Sequence, residues 1–138
     1  MLSKSKYPAS GKHIEDAWAG KPSQFRPSPP EVTKAHLLTI DRPNTDMRRK
    51  QSIAGTPVCK QFHENKQGEL VRDQRDEYPP AAFIENAGKG HLRCIPATDN
   101  EGSGKSFDNQ LRQYRARKDV PTVKLADGDV VEFVVTLP

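Results

Sequence analysis

Apolar residues in this chain come in short, separated clusters: Leu37-Leu38, Ala82-Phe83-Ile84, and the segment from Val130 to Leu137. Each is long enough for a strand or a helical turn and no more, so the pattern predicts short elements joined by polar connections. The stretch from Lys34 to Ile40 holds the β-prone cluster Leu37-Leu38-Thr39-Ile40 and stops at Asp41-Arg42-Pro43, which predicts a strand. Asn44-Thr45-Asp46 offers an N-cap to a helix reaching about Ile53, closed by Gly55 and Pro57. The polar stretch 60–73, with Gly68 inside it, reads as an exposed loop or hairpin. Residues 81–86 and 91–96 flank Ala87-Gly88-Lys89-Gly90 and predict a β-hairpin. A loop over 98–104 follows, where Gly102 and Gly104 permit unusual backbone angles.

Downstream the period changes. Phe107, Leu111 and Tyr114 recur at i, i+4 and i+7, one buried stripe of a helix over 106–117. At about 100° per residue, Asn109 falls nearly opposite that stripe, beside Lys105 and Arg112, while Gln110 flanks it. The final run, preceded by the turn signal Asp127-Gly128, is the most apolar β segment and predicts a central strand. Residues 1–34 are rich in Pro, Ser and Lys, with one short helix over 13–19 and a break at Pro27-Ser28-Pro29-Pro30. They read as an extended, partly helical segment packed on a domain spanning 35–138. The fold class expected is α+β, a hairpin and helix on an antiparallel sheet with flanking helices.

A length of 138 residues suits about one domain. With 33% hydrophobic residues, 29% charged residues and 12 prolines, its core must be modest and its loops long. No apolar run approaches the roughly 18 residues that would span a bilayer, so no membrane contact is expected. The start, Met1 to Lys6, has no hydrophobic stretch behind it and does not read as a signal peptide. That leaves a cytosolic protein, or a mature or excised domain of something larger. Cys59 and Cys94 leave two readings open, one disulfide or two separate thiols, and no zinc-type spacing exists. The net charge is +4, but it is concentrated. Arg42, Arg48, Arg49 and Lys50 stand against Asp46 alone, and Lys105, Arg112, Arg115, Arg117 and Lys118 against Glu101 and Asp108. Such clusters fit a binder of phosphate backbones, although a basic helix face is often only solvated.

The chemistry-bearing stretch is Arg75-Asp76-Glu77-Tyr78-Pro79-Pro80. Two adjacent carboxylates precede prolines that stiffen the backbone after them. With an amide on a downstream helix, this is the layout of a ββα-metal nuclease. Phosphodiester hydrolysis needs a base for water, a divalent cation for the developing charge, and cations to hold the backbone. A hard cation such as Mg²⁺ keeps most of its waters and takes one or two protein oxygens, so one amide can suffice. His63 and His91 read as surface or strand residues rather than catalysts.

In order along the chain, several blocks resemble the NucA/NucB deoxyribonucleases of the His-Me finger group. They are Tyr7-Pro8-Ala9-Ser10-Gly11-Lys12-His13-Ile14-Glu15-Asp16-Ala17; Thr39-Ile40-Asp41-Arg42 with Asp46, Arg48, Arg49, Ser52, Gly55 and Pro57; Arg75 to Pro79; Pro96 to Gly104; and Asn109-Gln110-Leu111. The resemblance implies a small ββα-metal core and a DNA endonuclease, using Mg²⁺ or Mn²⁺, without strong sequence specificity. It implies Asp76 in the general-base position, with Glu77 as competitor. It implies a metal ligand at Asn109 or Gln110, the helical face favouring Asn109. Arg75, Arg93, Lys105, Arg112 and Arg115 are the expected phosphate contacts, and Asp99 and Asn100 the residues shaping the loop before the helix. Members are typically exported. A monomer that is secreted, or delivered into a target cell as a toxin module with an acidic immunity protein as partner, is therefore expected. The alternatives are a non-catalytic DNA-binding module and an RNase on the same scaffold.

Overall fold

Pro8 opens helix α1 (Pro8–Trp18), where its missing N–H costs nothing because the first helical donors lack intrahelical partners. Ser10, His13, Ile14 and Ala17 recur at three- and four-residue spacing and form the buried face of α1. The structure is a computed structural model and describes residues 1–113 and 125–136. Its fold is α+β. Strands β1 (Leu2–Ser3), β2 (Leu37–Thr39), β3 (Phe62–Glu64), β4 (Leu70–Arg72), β5 (Gln74–Tyr78), β6 (His91–Ile95), β7 (Val130–Glu132) and β8 (Val135–Thr136) form four two-stranded sheets. Helices α2 (Pro30–Thr33), α3 (Thr45–Ile53) and α4 (Ala97–Gln113) join α1 around them. The pairs β2–β7, β3–β4 and β5–β6 are antiparallel, and β1–β8 is parallel.

The strand at 37–39, the helix ending at Ile53 and an exposed hairpin within 60–73 match the sequence pattern. The helix expected over 13–19 starts earlier, at Pro8, and three further expectations change. The hairpin partner of β6 is β5, not residues 81–86, so Asp76 and Glu77 lie within a strand, opposite Arg93 and Leu92. Pro79 and Pro80 have no N–H to give a ladder, so β5 stops before them. Residues 84–86 turn as a 3-10 helix instead, shaped by Asn86, whose side-chain N–H donates to Pro79 O at 2.6 Å. Helix α4 begins at Ala97, so Asp99 and Asn100 are helical. Gly102 is there for close approach rather than a loop: a Cβ on it would lie 2.6 Å from the Tyr7 ring. The last strand is not central. It changes sheets between β7 and β8, and the break drops Phe133 into the core. There Phe133 meets the rings of Tyr78, Phe83 and Phe107 at centroid distances of 5.8, 5.4 and 4.8 Å. Phe107 and Leu111 pack on that core as one stripe, while Tyr114 and the helix end expected at 117 lie outside the described residues.

Two ties fix the segments around β5. Arg48 of α3 is buried, donating to Ala81 O at 2.6 Å and to the Asp41 carboxylate at 2.7 Å. Cys59 and Cys94 form a disulfide that joins the loop after α3 to β6. The bond closes a loop with a sequence separation of 35 residues. Chain entropy assigns such a closure about 3–4 kcal/mol. Replacing both cysteines by alanine is expected to lower the melting temperature by roughly 10 °C, given the unfolding entropy of a domain this size. A thermal melt of the double variant checks this, and an unmoved midpoint refutes it.

Candidate active site

A cleft of about 230 Å³ opens where β5 passes between α1, α3 and α4. Arg75, Asp76 and Glu77 of β5, Arg49 of α3, Ser10 of α1, and Asn100 and Ser103 of α4 line it. Successive strand residues point to opposite sides, and the two carboxylates accordingly have different partners. Asp76 Oδ2 lies 2.7 Å from His13 Nδ1 on α1, and its side chain keeps 18% of its surface exposed. Glu77, also on the cleft wall, turns to other partners, with Oε2 accepting from Asn86 at 3.4 Å and Oε1 3.9 Å from Arg49 Nε.

Behind Asp76 the polar contacts continue inward. His13 Nε2 lies 2.9 Å from His91 Nδ1, and His91 Nε2 lies 2.8 Å from Lys21 O. Both rings are buried. Burial lowers the proton affinity of His91. His13 and His91 were not among the expected site residues. The signal for His13 was present, an ionisable residue on the apolar stripe of an amphipathic helix, where a buried polar group is the informative observation. His91 is a strand residue as read, but a buried one.

The neighbouring helices are locked by one residue. Asp99 reaches from α4 to the start of α1, accepting from Ala9 N at 2.9 Å and Ser10 N at 3.0 Å. Tyr7 supplies no side-chain cap, so Asp99 satisfies two donors that the helix leaves open. Burial raises the Asp99 carboxyl, those two N–H groups lower it, and the charge of Asp76 raises it again. Asp16, one turn beyond His13, is raised by burial. Hydrogen bonds from Arg93, Lys12 and Lys21 outweigh that and hold it well below the usual carboxylate range.

The structure brings Arg75, Asp76 and Glu77 together with Asn100, and it places other expected residues elsewhere. Arg75 Nη1 donates to Thr56 O at 3.1 Å while lining the cleft. Arg93 is committed to Asp16 at 2.5 Å. Lys105 and Asn109 are exposed on α4. Nine residues along α4 from Asn100, Asn109 stands about half a turn round the axis. Gln110 bonds the chain start, donating to Met1 O at 2.5 Å and accepting from the Met1 amine at 2.9 Å. Arg112 is helical in backbone, and Arg115 lies outside the described residues. Arg49, part of a basic run and of the second resembling block, was given no site role, yet it lines the cleft.

Among the described residues, no three of His, Cys, Asp and Glu are grouped so as to hold a metal ion. A hydrated Mg²⁺ needs less, one or two oxygens. Asn100 fits that demand, because its N–H goes to Gln74 Oε1 at 2.8 Å and its Oδ1 is the atom left for a ligand. Also among the described residues, no helix is long and apolar enough to cross a membrane.

The family profile described as deoxyribonuclease NucA/NucB matches residues 30–120, about two thirds of the chain. The chain belongs to the NucA/NucB deoxyribonuclease family. A DNA-entry nuclease of Bacillus subtilis (strain 168) is 28% identical over 111 residues, which cover 79% of this chain and 58% of that relative. The match to the NucA/NucB profile takes in Arg49, Arg75, Asp76, Glu77, His91 and Asn100, while α1 with His13 lies before it.

Glu77 supplies a test of this electrostatic picture. Burial pushes its carboxyl up, against Ser52, Asn86 and the charge of Arg49, which pull it down. A carboxyl raised in the fold penalises the folded state only once it ionises, so the penalty is absent at low pH and grows as pH rises. Glu77→Gln is therefore expected to melt above the native protein at about pH 7.5, with the gap closing near pH 4. Melting curves at both values decide it, and a gap that is equal at both overturns the assignment.

Proposed function

We propose that the chain is a divalent-metal-dependent endonuclease that hydrolyses DNA phosphodiester bonds without strong sequence specificity, with β5, β6 and α4 as its ββα core. The observation that carries this reading is Asp76, a carboxylate reaching a cleft with arginines on its rim and a histidine holding its inner oxygen. Asp76 takes a proton from the attacking water. Arg49 and Arg75 hold the non-bridging phosphate oxygens, a job suited to guanidinium geometry. Asn100 Oδ1, rather than Asn109 or Gln110, would hold the cation, because it is the amide placed on the cleft wall. Held there, Mg²⁺ or Mn²⁺ would supply stabilisation of the charge that develops on the phosphate and the leaving oxygen. The Bacillus subtilis relative is named for DNA entry. A Cys59–Cys94 disulfide likewise fits a working place outside the reducing cytosol.

Supercoiled plasmid is expected to be nicked and linearised with Mg²⁺ and left intact with EDTA. Asp76→Ala is expected to lower the rate by about 10²–10⁴-fold, the usual weight of a general base. The Mg²⁺ concentration giving half the maximal rate should rise in Asn100→Ala and stay put in Asn109→Ala; the reverse result returns the ligand to Asn109. Intact plasmid at high protein and Mg²⁺ sinks the enzyme reading in favour of a DNA-binding module. RNA degraded in preference to DNA in a competition makes it an RNase.

A further inference from the structure

Two imidazoles stand in line behind Asp76, and the protons on that line can be counted. Lys21 O only accepts, so His91 Nε2 carries an N–H toward it. A neutral His91 then has a bare Nδ1, which accepts from His13 Nε2–H. The third contact, His13 Nδ1 to Asp76 Oδ2 at 2.7 Å, also needs a proton. Two neutral rings own two N–H groups, and the line has three contacts with an acceptor at each end. No choice of tautomer closes all three. Without an added proton, a bare nitrogen would face a carboxylate oxygen inside the protein, which buried polar groups avoid. With Asp76 ionised, as a general base must be, the line closes only with one proton beyond two neutral rings.

We propose that His13 and His91 are positioning residues for Asp76: their hydrogen-bonded line holds one proton against its inner oxygen and leaves its outer oxygen to meet water in the cleft. This deepens the nuclease reading and rests on it. His13 is fully buried while Asp76 reaches the cleft, so the imidazole acts only through the carboxylate. The other charged groups around the line are consistent with it. Asp16 of α1 and Arg93 of β6 pair with each other, with Lys12 and Lys21 also on Asp16. Glu77 of β5 and Asp99 of α4 are the other acids that feel the charge of Asp76, and burial raises both carboxyls. Burial of His91 keeps that proton toward the outer end. Without that proton the inner oxygen loses its donor, and activity falls with it.

The test joins ring nitrogen-15 shifts of the metal-free protein to the pH profile of plasmid cleavage. At the pH of best activity, His13 is expected with both nitrogens protonated and His91 with Nε2–H and a bare Nδ1. The alkaline limb of kcat/KM should follow loss of the His13 signature. His13→Leu should lower kcat by about 10–100-fold with KM for DNA little changed, the range for losing an orienting partner. His13→Asn places a non-titrating N–H at the Nδ1 position and should restore turnover to within roughly tenfold of native while flattening that limb. A native His13 with a bare Nδ1 at that pH overturns the proposal, as does an alkaline limb unchanged in His13→Asn. Because the shifts need neither metal nor DNA, the two readings fail separately. The protonated line without any cleavage removes the nuclease reading and the role built on it, whereas cleavage with a bare Nδ1 removes only the role.

Discussion

The contact between His13 and Asp76 joins α1 to the β5–β6 hairpin, and the rest of the site is arranged around that joint. It is a polar contact where a small domain would ordinarily place leucine or valine. A buried imidazole is tolerated only when both ring nitrogens are satisfied, and here Asp76 and His91 do so. Asp99 then holds the start of α1 from α4, fixing the height at which His13 meets the strand. Three elements from distant parts of the chain are thus registered by hydrogen bonds rather than by apolar area alone. For a chain with mean hydropathy of −0.83, such directional ties do what a larger core would otherwise do.

The same logic extends to the cleft rim. Arg75 reaches the loop after α3 through Thr56 and Pro57, and the disulfide anchors that loop to β6. Arg48 ties Asp41 at the end of β2 to Ala81, just past the prolines that stop β5. A guanidinium with several donors suits this task, because two backbone oxygens and a carboxylate must be met at once. The cleft is therefore rigid on the sides that carry Asp76, Glu77 and Arg75, and those side chains start in place.

Much of this was legible in the sequence wherever one local rule was enough. The strand at 37–40 followed from β-branched and aliphatic residues with a proline stop, and the exposed hairpin from polarity and Gly68. The stripe of Phe107 and Leu111 followed from helical period. What could not be read depended on distant partners. Gln74 to Glu77 is polar and weakly β-prone, and it is a strand because β6 pairs with it. Gly102 looked like a loop residue because Tyr7, which needs the space, is far away in sequence. The β7–β8 run looked central because its apolar content hides the break at Phe133. Asp76 and Glu77 stood out from their setting in Arg75 to Pro80, but the histidines behind them belong to α1 and β6 and meet only in the fold.

The two carboxylates of β5 are chemically alike and adjacent, and their surroundings make them unlike. Glu77 is buried against Asn86 and near Arg49, and burial raises its carboxyl, so its side of the strand favours retaining a proton. Asp76 instead meets His13 Nδ1 at 2.7 Å on its inner side and keeps an outward path to the cleft, so it is the acid that can meet water. Environments that separate two acids in this way divide acid and base roles between them. Under the proposed reaction the base is then Asp76. In the proposed reaction a carboxylate stands in front and the imidazole supports it from within. Under that proposal the reacting group stays small and wet, while its orientation is set by imidazoles that are buried.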